Sequence, residues 1–268
     1  FVDVYESTFN IDCEKLELAI QHTIAEGALT PKAVIPVDLF GVPARYRLIE
    51  EIAKKYDLKV LEDAAQSFGG EIRDKKVGTF GDAAATSFYP AKPLGCYGDG
   101  GAIFTNDDYL ANKCKAIRIH GTTSDRYHSE LIGLNGRLDS LQAAVLLEKL
   151  TIFDEELDLR EKISIQYRNN LKNCQYIPDN YKSSHALFSI LLESNQQRNQ
   201  TVEKLQQNNI PTAIYYKYPI HLMKAFSYLG YQKGDFPISE ILSRRILSLP
   251  MHPYLSEDDV ELIINQIQ

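Results

Sequence analysis

Apolar residues recur every fourth position at Leu16, Ile20 and Ile24, which predicts a helix that Asp12 caps at its start and Gly27 ends. Val2 to Val4 before it and Ala33 to Val37 after it read as strands. A second helix is predicted from about Arg45 to Tyr56, with Leu48, Ile52 and Ala53 on one face. The strand Leu58 to Leu61 then ends at Glu62-Asp63. Short β-rich runs alternating with amphipathic helices predict an α/β domain built on a mostly parallel sheet flanked by helices. Ligands of such sheets gather at the carboxyl ends of strands, so the place of Asp63 is informative.

Between Gln66 and Gly101 glycines are dense and regular helix is not expected. Helical spacing returns at Asp107 to Ile119 and at Leu138 to Leu150, where Leu141, Val145 and Leu146 predict an apolar stripe. A charged helix from about Phe153 to Leu171 reads as a connector. Beyond it the chain reads as α+β: strand His185 to Leu192, helix Gln196 to Asn208, strand Pro211 to Tyr216, two short helices, strand Ile246 to Leu249, and a last helix that Ser256 caps. The expected organisation is a large domain over residues 1–154 and a smaller α+β domain over residues 155–268.

Composition narrows the classes of function. The 268 residues are 44% hydrophobic and 24% charged, enough for a large core, and no apolar run approaches the roughly 20 residues that span a bilayer. With 29 basic and 36 acidic residues the net charge is −7, and no Lys/Arg stripe is present to neutralise a phosphate backbone, so neither membrane nor nucleic acid is an expected partner. Cys13, Cys96, Cys114 and Cys174 lie far apart without metal spacing, which suits free thiols in a reducing cytoplasm. No metal site is expected from the six histidines either.

Two residues carry candidate chemistry. Lys92 stands between Pro90-Ala91 and Pro93, which keeps it out of regular helix and on a stiff loop. From these features alone it is either a surface-loop lysine or a reactive amine. Asp63, directly before Ala64-Ala65-Gln66-Ser67, is either a turn residue or a site residue. If buried, its carboxylate needs a cationic partner or strong donors, and a heterocycle with a protonated nitrogen would serve.

Four ordered segments then coincide with a known pattern: Glu62-Asp63-Ala64-Ala65-Gln66-Ser67, Ser87-Phe88-Tyr89-Pro90-Ala91-Lys92, Gly98-Asp99-Gly100-Gly101-Ala102, and Asn135-Gly136-Arg137-Leu138-Asp139-Ser140-Leu141-Gln142-Ala143-Ala144. They resemble the successive motifs of the DegT/DnrJ/EryC1/StrS family, and the similarity runs from Phe1 to the C-terminus. The resemblance implies a fold-type I nucleotide-sugar aminotransferase dependent on pyridoxal 5'-phosphate (PLP). It assigns Lys92 as the residue that bonds the cofactor aldehyde and afterwards moves the proton. It assigns Asp63 to the pyridine nitrogen, Gln66 to the cofactor's 3-oxygen and Ser87 to its phosphate. Asn135 resembles the residue that reaches the cofactor of a neighbouring subunit, implying a homodimer with shared sites. Arg137, Tyr215, Tyr216 and His221 are the candidates for substrate contact. A structured helix start, strand-edge aromatics and an exposed histidine are the alternative readings of those positions.

The implied reaction moves an amino group from an amino acid, glutamate by expectation, to a keto sugar carried on a nucleotide. The Gly95 to Gly101 wording, Arg126-Tyr127-His128 and Leu249-Pro250-Met251-His252-Pro253 resemble members acting on UDP-2-acetamido-2-deoxy-3-oxoglucuronate, which favours carbon 3. The alternatives are transfer to carbon 4 of a UDP- or dTDP-4-keto sugar and a non-catalytic regulatory homologue. A sugar dehydratase is disfavoured by Lys92, since relatives of that type carry histidine there. Two departures from the pattern are Asp38, before the Leu-Phe-Gly run, and Gly136. The Phe1 start leads to the expectation that an N-terminal part of the family's large domain is missing, and with it part of the cofactor cradle.

Overall fold

The computed structural model describes residues 1–268. Its elements in chain order are α1 (Cys13–Glu26), β1 (Ala33–Val34), α2 (Tyr46–Lys55), β2 (Lys59–Asp63), β3 (Glu71–Ile72), β4 (Lys75–Lys76), β5 (Ala83–Ser87), β6 (Gly101–Phe104), α3 (Asp108–Ile117), α4 (Ser140–Leu150) and α5 (Phe153–Asn170). After these come β7 (Tyr181–Lys182), β8 (Phe188–Leu191), α6 (Asn195–Gln207), α7 (Pro237–Arg245), β9 (Ile246–Leu249) and α8 (Glu257–Ile267).

Local chemistry explains the helix ends. Asp12 accepts hydrogen bonds from the backbone N–H groups of Glu14 and Lys15 to start α1, and Gly27, in the left-handed region, stops it. Ser256 and Asp259 form a reciprocal capping box on α8.

The central sheet runs β1-β2-β5-β6, with the first three strands parallel and β6 antiparallel. The register sets Asp63 of β2 beside Ala85 of β5, so Asp63 and Ser87 leave neighbouring strands at the same edge. This mixed α/β sheet with flanking helices is the fold-type I architecture expected from the sequence. A three-stranded antiparallel sheet runs β4-β3-β7, and β8 and β9 pair in the C-terminal half.

One core packs α1 and α2 on the sheet through Leu16, Ile20, Tyr46, Ile49 and Val60. Another joins α5, β8, β9 and α8 through Ile163, Tyr167, Ile190, Leu247 and Val260. Phe153, at the start of α5, belongs instead to a cluster with Phe88, Leu94 and Leu146.

Several expected elements are corrected. The strand expected over residues 33–37 is regular only at Ala33–Val34, because Pro36 offers no N–H; its line continues as a single parallel bridge from Val37 to Asp63. The Val2 to Val4 segment keeps one bridge, Val4 to Ile11, and the Pro211 to Tyr216 segment one, Ala213 to Ser248. On α2 the fully buried residues are Tyr46, Ile49 and Ala53, with Leu48 and Ile52 only partly covered. On α4 the predicted stripe does not face this chain's core: Leu146 is buried but Leu141 is 80% exposed.

Candidate active site

The site begins with two strand ends. Asp63 closes β2, and its Oδ1 accepts the Ala65 N–H at 3.1 Å, turning the chain outward. Ser87 closes β5, and its Oγ accepts the Tyr89 N–H at 3.2 Å. The loop beyond Ser87 folds back so that the Cys96 N–H donates to the Phe88 carbonyl and the Lys92 N–H to the Tyr89 carbonyl. Gly95 makes this fold possible: a Cβ there would lie 2.6 Å from the Pro90 oxygen and 2.7 Å from the Tyr89 oxygen. Helix α4 anchors the loop from outside, with Lys149 Nζ donating to the Gly95 carbonyl at 2.8 Å and Gln142 Oε1 accepting the Tyr97 N–H at 2.7 Å.

The loop delivers Lys92 to a half-buried position. Burial pushes its amine below the ordinary lysine range, and the negative charge of Asp63 pulls it partly back up. A lowered amine pKa raises the neutral fraction that a nucleophile or base requires. Lys92 and Asp63 sense each other without an ion pair or hydrogen bond between them, and no other charged group shifts Lys92. The site therefore presents an amine without an acceptor and a carboxylate whose Oδ2 has no donor, both at the sheet's carboxyl edge. PLP fits this donor set: its ring nitrogen carries a proton for Asp63, and its aldehyde suits the amine.

Gln66 sits in the turn after β2 and is held on several sides. Its Oε1 accepts the Phe40 N–H at 2.7 Å, its Nε2 donates to the Tyr216 hydroxyl at 2.9 Å, and its carbonyl accepts from Ser184 Oγ at 2.8 Å. The structure thus joins Tyr216, from the C-terminal half, to the turn that carries Asp63. Asn135 and Arg137 lie on an exposed loop and bond each other, Arg137 Nε donating to Asn135 Oδ1 at 3.2 Å. No bond within the chain connects either to Asp63, Gln66, Ser87 or Lys92.

Tyr215 is exposed and lines a cleft of about 540 Å³ with Thr212, Pro250 and His252, and none of the four strand-end and loop residues lines it. His221 is not the exposed histidine of the alternative reading. It is 4% exposed, its Nε2 lies 3.2 Å from Glu240 Oε1, and its ring meets Phe236 edge-on. That buried pairing commits the imidazole to the protein interior.

Sequence reasoning missed a carboxyl cluster behind the site. Asp38 and Glu62 are fully buried. Asp38 Oδ1 accepts from Ala44 N and the Tyr46 hydroxyl, both at 2.8 Å, and Oδ2 accepts from Ser67 Oγ at 2.7 Å. Glu62 accepts from Gly78 N at 2.8 Å and Phe80 N at 3.0 Å. Burial, against the opposing pull of the donors and with help from Glu62, lifts the Asp38 carboxyl to about 8; burial raises Glu62 as well. The only signal in the sequence was an unexpected acid before Leu39-Phe40-Gly41.

Comparison with known proteins identifies the family. The signature of the "DegT/DnrJ/EryC1/StrS aminotransferase family" matches residues 1–268. The chain is 41% identical to the UDP-2-acetamido-2-deoxy-3-oxo-D-glucuronate aminotransferase of Pseudomonas aeruginosa, over 98% of this chain and 70% of that protein. It is 34% identical to the dTDP-3-amino-3,4,6-trideoxy-alpha-D-glucose transaminase of Micromonospora megalomicea, over 100% and 71%. A crystal structure of a DegT DnrJ EryC1 StrS aminotransferase from Brucella abortus superposes with a TM-score of 0.95 at 48% identity, covering 100% of this chain and 72% of that one. The chain belongs to the DegT/DnrJ/EryC1/StrS aminotransferase family and is a PLP-dependent enzyme of amino-group transfer to nucleotide sugars.

Proposed function

We propose that this enzyme transfers an amino group from L-glutamate to carbon 3 of a UDP-linked 3-keto sugar, for the assembly of surface polysaccharide or glycoconjugate. The observation that carries the mechanism is the half-buried Lys92 amine set against the Asp63 carboxylate at the edge of two parallel strands. The choice of carbon is supported by the names of the two relatives above, one an aminotransferase of a UDP-linked 3-oxo sugar and the other a transaminase of a dTDP-linked 3-amino sugar.

When bound, PLP supplies an aldehyde that captures amino groups and a ring that accepts the electrons left on the neighbouring carbon. Lys92 Nζ would be the amine that holds it, and would also serve as the base that takes the donor's α-proton and later delivers one to the sugar carbon. Asp63 would hold the proton on the ring nitrogen, Gln66 would donate to the 3-oxygen and Ser87 Oγ to the phosphate. A second copy of the chain completes the site through Asn135 in a homodimer. Arg137 is exposed, as an anchor for an anionic substrate group needs to be. Tyr215 and Tyr216 flank the sugar. The organisation into residues 1–154 and 155–268, and a cytoplasmic location where nucleotide sugars are made, complete the reading.

Incubating the protein with PLP, glutamate and a panel of UDP- and dTDP-linked 3-keto and 4-keto sugars tests it. The expected product is a UDP-3-amino sugar with matching release of 2-oxoglutarate. Turnover only of 4-keto sugars, or none with any sugar, overturns it.

A further inference from the structure

The Gln66 amide has a defined orientation because its oxygen is spent on a backbone N–H. Phe40 holds a positive φ of 63° and directs its N–H at Gln66 Oε1, at 2.7 Å. An N–H can only donate, so the amide oxygen must face Phe40 and the nitrogen must face away. That nitrogen donates to the Tyr216 hydroxyl at 2.9 Å, across 150 residues of sequence. The Tyr216 ring also stacks on the Phe40 ring, at 6.5 Å and 28° between planes. Phe40, Gln66 and Tyr216 thus form a closed triangle: two hydrogen bonds and one ring contact. An amide nitrogen carries two protons, and only one of them has a protein acceptor here.

We infer that Tyr216 is a positioning residue for the cofactor, acting through Gln66: by accepting one amide proton it fixes the plane in which the other is offered to the 3-oxygen of PLP. This rests on the proposed PLP site and gives Tyr216 a role separate from sugar contact. The triangle also ties the segment after Ala213 to the turn after β2, so the C-terminal half is bonded to the cofactor's donor before any sugar arrives.

The test measures PLP affinity of the cofactor-free protein by fluorescence quenching, with no turnover involved. Tyr216→Phe keeps the ring contact and removes the acceptor. One neutral hydrogen bond is worth on the order of 1 kcal/mol, so affinity should fall roughly fivefold. Tyr218→Phe, at a neighbouring exposed tyrosine, is the control and should bind as the parent does. In a Gln66→Leu background the Tyr216→Phe change should have no further effect, because its intermediary is gone. The melting temperature of cofactor-free Tyr216→Phe should fall by no more than about 4 °C, the effect of one hydrogen bond at a position 49% exposed. Unchanged affinity in Tyr216→Phe, or an equal loss with and without Gln66, overturns the inference. Failure of the parent protein itself to bind PLP would instead refute the cofactor site, which the same titration reads separately.

Discussion

Replacing Asp38 by asparagine should flatten the dependence of stability on pH. The carboxyl is fully buried, and its folded-state pKa of about 8 lies above the ordinary 3.8, the reverse of a salt-bridged aspartate. Below 3.8 the folded and unfolded chains both hold the proton. Between that value and about 8 the folded chain keeps a proton that the unfolded chain has released, so stability falls as pH rises through this window. One retained proton corresponds to about 1.4 kcal/mol per pH unit, and from pH 6 to pH 8 the loss should approach 2 kcal/mol as the slope tapers.

Asparagine has nearly the same shape and never ionises. Its oxygen can keep the bonds from Ala44 N and the Tyr46 hydroxyl, and its amide can face Ser67 Oγ. Urea unfolding followed by far-ultraviolet circular dichroism at pH 6, 7 and 8 gives the two slopes. The difference between variant and parent should grow steadily toward pH 8 in favour of Asp38→Asn. Parallel slopes would show that Asp38 is already ionised in the folded chain and would refute the reasoning.

Other changes follow from close contacts and caps. Gly95→Ala puts a methyl 2.6 Å from the Pro90 oxygen, so the Lys92 loop must shift; amino transfer should fall at least about tenfold, measured as kcat, while the melting temperature moves by only a few degrees. Ser256→Ala removes the α8 cap and should cost about 1 kcal/mol in urea unfolding without changing kcat. Leu247→Ala, at a fully buried position between β8 and the helices, should cost about 2–5 kcal/mol in the same assay.

What the sequence reveals and what it conceals have physical causes. Helices α1 and α8 are legible because their caps are local: Asp12, Gly27 and Ser256 act within a few residues. β2 is legible from its apolar run, whereas β5 is not, because Ala83-Ala84-Ala85-Thr86-Ser87 has few β-branched or aromatic residues and is extended by its neighbours on both sides. The α4 stripe read as Leu141, Val145 and Leu146 is only partly a buried face: Leu146 is covered, whereas Leu141 is left exposed by this chain.

Within the site, Lys92, Asp63, Gln66 and Ser87 stand out through short ordered motifs. The contacts that arrange them do not, since Gln66 meets Tyr216 across 150 residues and Lys149 meets Gly95 across 54. The proximity of Asp38 and Glu62 likewise exists only once β1 and β2 are laid side by side.

The central claim is that Lys92 is the amine this enzyme offers to its cofactor. Reducing the PLP-loaded protein with borohydride, digesting it and mapping the modified peptide tests this without any sugar substrate. One stable cofactor label is expected, on Lys92, and it should be lost in Lys92→Ala. A label on a different lysine of the parent protein, or an undiminished label in Lys92→Ala, would contradict it.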